Sequence, residues 1–339
     1  MISSPKISDS RSDSPGDPGR VGVSVYITER DLEAALRRDA TVGLSATPKE
    51  LPPRWLYDEV GSKLFSRITR LPEYYPTRRE HSILRTHAED ICAVSEADTL
   101  VELGSGSSEK TEELLGAMSR FGRLRRFAPF DVDEVTMRDT VGRIKMLYPG
   151  IDIDGVVGDF EEHLGHMPTS GRRLIAFLGG TIGNLGPEAR KRLLGSLASG
   201  MSPGETLLLG TDLVKDRRRL LAAYDDAEGV TAAFNKNVLA VLNRRLGAHF
   251  ELDNFDHVAV YDDELQRIEM RLRSRSTQVV AVDALDIDVK FDEGEDLRTE
   301  ISTKFTVGQV EEELRAAGLE PVACYSDPGR DFAVSLARR

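Results

Sequence analysis

Cysteine and tryptophan are nearly absent, with two of the first and one of the second in 339 residues. Cys92 and Cys324 stand far apart and form no C-x-x-C pair, which argues against a disulfide framework or a thiolate zinc site and fits a reducing cytoplasm. Long apolar runs are missing too, since none approaches the ~20 residues of a membrane span, so no membrane partner is expected. Basic residues are outnumbered, 45 Lys and Arg against 57 Asp and Glu. The resulting charge of −12 repels phosphate backbones, so nucleic acid is not an expected partner. Residues 1–24 are rich in Ser, Asp, Pro and Gly and lack the apolar core of a secretory signal; they are expected to form a disordered tail.

What is present is a change of rhythm along the chain. Thr28 with Asp31 marks a helix start, and Thr77 with Glu80 reads as a capping box for a helix through Ile83, Leu84 and Ile91. Strand-like runs at 99–103, 126–131, 151–157, 173–178 and 206–213 then alternate with helical stretches near 109–118, 135–146 and 187–199. That alternation predicts a parallel α/β sheet. After Asp212 come two helical stretches and then half-buried strands, in which Ile268, Met270 and Leu272 alternate with Glu269, Arg271 and Arg273. The α/β pattern returns with a helix capped by Thr306 and Gln309. The expected division is a second α+β domain split in sequence, residues 25–77 with 215–303, beside a sheet domain of residues 78–214 with 304–339.

The first sheet strand runs into Glu102-Leu103-Gly104-Ser105-Gly106-Ser107 directly before a helix. Glycines there let a ligand approach the backbone at the carboxyl end of a strand, where doubly wound sheets bind nucleotides. A dinucleotide fingerprint needs a third small residue at position 109, which is Glu, and Glu102 favours a cationic cofactor over a diphosphate. Asp131 and Asp133 end the second strand, placed to accept from ribose hydroxyls; Asp159 and Phe160 follow the third, placed to accept from an adenine amino group and cover its ring. Three consecutive strand ends thus supply parts of one adenosine site. Lys110 either lines the loop or is a surface lysine.

Five segments together carry a resemblance to a known family: Leu71-Pro72-Glu73-Tyr74-Tyr75-Pro76-Thr77-Arg78, Glu102-Leu103-Gly104-Ser105-Gly106, Phe177-Leu178-Gly179-Gly180-Thr181-Ile182-Gly183-Asn184, Ala223-Tyr224-Asp225-Asp226 and Thr299-Glu300-Ile301-Ser302. On these the chain resembles the histidine Nα-methyltransferases of ergothioneine biosynthesis, which trimethylate histidine to hercynine. The resemblance implies a Rossmann-like class I methyltransferase sheet domain, S-adenosyl-L-methionine as cofactor and L-histidine as substrate. It implies that Tyr74, Asn184 and Tyr224 hold the α-amino and carboxylate end, that Glu300 and Ser302 bind the imidazole, that Gly179 meets the substrate through its backbone, and that Tyr57 lies near the amine as a weak base or water holder.

Read without the resemblance, Glu300 and Ser302 are two apart in a strand and share a face; Glu accepts from a ring N–H while Ser donates or accepts. Asn184 either offers an amide to a ligand or caps the helix beginning at Pro187. Tyr57, Tyr74 and Tyr224 read equally well as core aromatics. His163 and His166 supply two ligands but no third, and Asp292 to Asp296 lacks a calcium-loop pattern, so no metal is expected. Rival functions are methylation of another free amino acid, nicotinamide-dependent oxidation and non-catalytic adenosine binding. A monomer is expected.

Overall fold

The computed structural model describes residues 19–106, 108–160 and 162–339. Strands and helices are numbered in chain order. The main sheet has the order β1 (Val21–Val25), β5 (Asp152–Val157), β4 (Arg126–Asp131), β3 (Thr99–Leu103), β6 (Arg173–Phe177), β7 (Thr206–Asp212), β14 (Phe332–Arg338), β13 (Glu320–Ser326). The first six are parallel, and β14 runs antiparallel to both its neighbours. Strands β3, β6 and β7 are buried along their whole length, which is why their sequences read as continuous apolar runs rather than alternating ones.

Helices cover both faces. α3 (Pro76–Ser95), α4 (Glu112–Arg120) and α5 (Glu134–Leu147) pack Leu84, Leu115 and Ile144 over Leu100, Phe127 and Ile153. α6 (Pro187–Ser199) and α9 (Val307–Ala316) pack Leu194 and Leu314 over Val101, Ile175 and Leu207. The chain steps outward from β3 through β4 to β5 and then crosses to β6 on the other side of β3. That reversal opens a crevice at the carboxyl ends of β3 and β6.

A third apolar cluster draws on residues 36–75 and 220–297 and includes Leu36, Trp55, Phe234, Leu242, Phe255, Met270 and Phe291. Its helices are α1 (Glu29–Ser45), α2 (Glu59–Ile68), α7 (Arg217–Tyr224) and α8 (Val230–Leu246). Its sheet has the order β2 (Lys49–Glu50), β12 (Asp296–Thr303), β9 (Arg267–Ser274), β8 (Phe255–Asp262), beside a hairpin of β10 (Gln278–Val282) and β11 (Ile287–Phe291). Ile268, Met270 and Leu272 all face this core, each contributing about 1.5–3 kcal/mol by burial.

Two expectations need correction. The tail expected over residues 1–24 lies outside the described residues for 1–18, but Val21–Val25 is a strand hydrogen-bonded to β5, with Val21 opposite Ile153 and Val25 opposite Val157. Without it β5 would present an unpaired edge. Thr77 and Glu80 form no capping box. α3 starts at Pro76, two residues before the start that a Thr77 cap requires; the fixed φ and missing N–H of Pro76 suit the first helical position, and Glu80 is wholly buried inside. Thr28 and Thr306 do form the boxes read from sequence. Among the described residues no helix is long and apolar enough to cross a membrane, and no group of three or more His, Cys, Asp and Glu is placed to hold a metal. His166 stacks on Tyr26 at 3.7 Å instead.

Candidate active site

The glycine loop after β3 is held from below by carboxylates. Gly104 and Gly106 have φ of 67° and 47°, and where a Cβ would stand on either there is nothing within 4 Å, so the loop faces open space that a ligand can fill. Glu102 turns under the loop and accepts from Ser108 Oγ at 2.6 Å and from the Thr111 hydroxyl. Burial pushes its carboxyl up to about 7 against those two bonds. Ser107 lies outside the described residues.

Asp131 accepts from Gly106 N at 2.7 Å and Asp133 N at 3.1 Å, so it shapes the loop, and burial raises its carboxyl. A carboxylate has about four lone-pair sites, which leaves capacity for ribose hydroxyls. Asp133, read from sequence as placed for a ribose hydroxyl, is the N-cap of α5, accepting from Val135 N at 2.9 Å and Thr136 N at 3.2 Å. Asp159 accepts from Arg54 Nη1 at 2.9 Å, while Phe160 sits edge-on to Phe177 with ring centroids 5.3 Å apart. The cradle, the acceptors at three strand ends and the partly open aromatic suit an adenosine with a cationic tail.

Glu80 joins this end of the site although sequence reading gave it to a cap. One oxygen accepts from Gly179 N at 2.7 Å and the other pairs with Lys110. Lys110 is therefore no surface lysine. Gly179 and Gly180 both have positive φ, 80° and 70°, and carry the chain from β6 into a short 3-10 turn, Thr181–Asn184. A Cβ on Gly183 would lie 2.8 Å from Thr303 O, so this turn fits directly against β12. Asn184 does not cap α6; the N-cap is Gly186, with no side-chain bond.

The opposite wall is made of side chains. An irregularity in the β12–β9 register between Arg298 and Glu300 adds a residue, so Thr299 and Glu300 are both buried. Glu300 and Ser302 then lie across from Met270 and Ile268. Burial pushes the Glu300 carboxyl up to about 7, with Lys304 pulling the other way. Tyr74 packs edge-on against Tyr224 at 6.3 Å and Phe65 at 6.1 Å; Tyr57 packs against Phe65 at 5.4 Å and Phe234 at 5.2 Å. Burial first, and then the charge of Glu300 among other neighbours, holds the Tyr57, Tyr74 and Tyr224 phenols well above their usual range. Yet 36% of Tyr57 remains accessible, so its ring edges the site on the solvent side.

Behind this wall lies a buried ionic cluster that sequence reading missed. Asp212, the last residue of β7, accepts from Lys304 at 2.8 Å, Lys215 at 2.5 Å and the Tyr75 hydroxyl at 2.9 Å. Burial pushes its carboxyl up, but Lys304 and Lys215 outweigh that and hold it below its ordinary value. Lys215 is drawn down to about 8 by burial, against the pull of Asp212. Lys304 goes on to Tyr224 Oη at 2.9 Å and Ser302 Oγ at 2.8 Å. The β7 strand end is thereby tied to the two hydroxyls facing the cleft.

Comparison with known proteins agrees with this geometry. The family model described as histidine-specific methyltransferase, SAM-dependent, matches residues 36–339. Histidine N-alpha-methyltransferase of Mycolicibacterium smegmatis is 57% identical over 314 residues, covering 93% of this chain and 98% of that protein. Its namesake from Mycobacterium tuberculosis is 54% identical over 320 residues, 94% of this chain and 100% of that protein. Ergothioneine biosynthesis protein 1 of Schizosaccharomyces pombe is 31% identical over 229 residues, 64% of this chain but 30% of that longer protein. This chain belongs to the histidine-specific, S-adenosylmethionine-dependent methyltransferase family.

Proposed function

We propose that the protein transfers methyl groups from S-adenosylmethionine to the α-amino nitrogen of L-histidine, giving Nα,Nα,Nα-trimethylhistidine (hercynine) for ergothioneine biosynthesis. The observation that carries this reading is Glu300 beside Ser302, both buried on one face of β12, the strand against which the turn ending in Asn184 packs. A carboxylate and a hydroxyl at that spacing suit the two nitrogens of an imidazole and suit no aliphatic side chain. Tyr74, Tyr224 and Asn184 hold the amino and carboxylate end, and Gly179 approaches it through the backbone. Gly104, Gly106, Lys110, Asp131, Asp159 and Phe160 hold the cofactor.

When bound, S-adenosylmethionine supplies an electrophilic methyl group. The chain's own contribution is alignment of the amine, and positioning of this kind supplies roughly 7–11 kcal/mol in well-oriented systems. An α-amino group titrates near ~8, so a useful fraction is neutral without a strong base. Tyr57, its phenol held high, stays protonated and acts as a hydrogen-bonding group at the open flank, where protons leave to water between rounds. We further propose that the two apolar regions act as domains, residues 25–77 with 215–303 and residues 78–214 with 304–339, and that the enzyme works as a cytoplasmic monomer.

The test is to incubate the purified protein with S-adenosylmethionine and an equimolar mixture of the common amino acids, following methylated products by mass spectrometry. Trimethylhistidine as the sole product is the expected result. A different methylated amino acid would overturn the reading of Glu300 and Ser302, and no product despite cofactor binding would overturn the activity.

A further inference from the structure

Lys304 stands one residue past β12 and continues the alternation of Glu300 and Ser302, so it leaves the chain on the same side. It is 1% exposed, and nothing in the histidine reading uses it. Its ammonium has three hydrogens, each with an acceptor: Asp212 Oδ2 at 2.8 Å, Tyr224 Oη at 2.9 Å and Ser302 Oγ at 2.8 Å. Because an ammonium only donates, both hydroxyl oxygens accept from it and each keeps one hydrogen of its own. Those oxygens are also 2.7 Å apart and share one of the two hydrogens. A phenol, with its ordinary pKa near ~10, is the stronger acid, and the alkyl oxygen is the better acceptor, so the shared hydrogen comes from Tyr224. Ser302 then accepts twice, from Lys304 and from Tyr224, and both its lone pairs are filled. What it has left for a ligand is its own O–H.

We infer that Lys304 is a positioning residue: by filling a lone pair of Ser302 it fixes that hydroxyl as a hydrogen-bond donor, so that the site takes histidine with a neutral imidazole ring. The inference rests on the histidine reading and deepens it. A neutral ring has one N–H, which meets the Glu300 carboxylate, and one bare nitrogen, which meets the Ser302 O–H. An imidazolium has two N–H groups, and one of them would face the Ser302 hydrogen directly. The titratable and charged groups around the pair are Tyr57, Tyr74 and Tyr224 from the helical wall and Lys304 on the same segment, with Asp212, Lys215 and Tyr75 behind it. The paired strand β9 presents only Met270 and Ile268 opposite them. The phenols do not ionise in the acid range, so the acid-side response of histidine binding belongs to the ring and to Glu300.

Histidine binding measured by isothermal titration from pH 5.5 to 8.5, with S-adenosylhomocysteine present, tests this in the wild type and in Lys304→Met. The same pair in a Glu300→Gln background removes the carboxyl's own titration. Wild-type affinity is expected to fall by up to about a hundredfold per pH unit once both Glu300 and the ring take up protons, and by about tenfold per unit below the imidazole pKa near ~6.5 in the Glu300→Gln background, since only the neutral ring is accepted. Lys304→Met frees an Oγ lone pair, and Ser302 can then turn and accept. Its deficit of about tenfold at pH 8, the size of one hydrogen bond, is expected to shrink toward none at pH 5.5 in both backgrounds. Asp212 keeps Lys215 and Tyr75 in this variant, and circular dichroism checks the fold. Lys304→Arg, which also only donates, is expected to restore the wild-type slope. A deficit that stays constant with pH in both backgrounds would assign Lys304 a merely structural part and overturn the inference while leaving histidine as substrate. Failure of the wild type to bind histidine at any pH would overturn both.

Discussion

The cofactor end and the amino-acid end of the cleft are built from different material. At the cofactor end the chain presents main-chain curvature at Gly104 and Gly106, and the carboxylates of Glu102 and Asp131 brace it from beneath. At the amino-acid end the surface is mostly side chain, the Gly179 backbone apart. It is drawn from Tyr57, Tyr74, Tyr224, Glu300 and Ser302, and stiffened by a lysine whose partner belongs to another sheet. A site made of backbone tolerates loss of one supporting side chain, whereas a site made of linked side chains transmits such a loss to every member.

That contrast breaks most visibly at Asp212. Asp212→Ala leaves Lys304 and Lys215 buried without their shared carboxylate, and a fall of about 3–5 kcal/mol in unfolding free energy is expected by urea denaturation. Because the folded value of Asp212 is depressed, its stabilisation is present above the unfolded value of ~3.9 and disappears as pH falls through the folded one. Next in size is Glu300→Ala. Loss of a charge-assisted bond in the cleft should lower kcat/KM for histidine by about 100-fold, chiefly through KM, while calorimetry finds S-adenosylmethionine affinity unchanged. An equal loss of cofactor affinity would erase the distinction between the two ends.

The same carboxyl offers a sharper test without substrate. Its folded value is raised from 4.5 to about 7, so the unfolded chain ionises first and the wild type loses stability as pH climbs between those values. Glu300→Gln is therefore expected to be more stable than wild type above pH 7, by on the order of 2 kcal/mol, and no more stable near pH 4. Thermal melts across that range settle it. Smallest is Asp133→Ala, which removes a helix cap: about 1 kcal/mol of stability and no change in cofactor affinity. A tenfold loss of affinity would restore Asp133 as a ribose ligand.

The same difference of material decided what could be read in advance. The glycine loop, the strand-end acids and the alternation of strands and helices lie within short windows of sequence, and the parallel sheet follows from them. Strand ends moved by a residue or so because caps and turns, not periodicity, set them. Glu80 was misread for a physical reason: Thr-x-x-Glu before an apolar face is a capping box only if the helix starts after the Thr, and Pro76 starts it earlier. Lys304 carried a usable signal, since the period that paired Glu300 with Ser302 continues to it. Its partner Asp212 lies 92 positions away on another strand, and no local pattern joins them. Strand β8 escaped notice because the partly exposed Asp256 and His257 interrupt its apolar face, and β10 because it is short and Val279 within it is exposed.

Strand β1 has a practical consequence for handling the protein. Val21, Gly22, Val23, Ser24 and Val25 close the outer edge of the sheet against β5, while Gly19 O receives Lys145 Nζ at 2.6 Å and Arg20 N reaches Asp152 at 2.8 Å. Trimming the amino terminus at residue 25, where composition invites a cut, would strip that edge and leave a row of free amide and carbonyl groups open to pairing between molecules. A shortened chain begun at residue 19 keeps the edge covered; one begun at residue 26 should precipitate or form sheet-linked oligomers on concentration, for a reason unconnected with its active site.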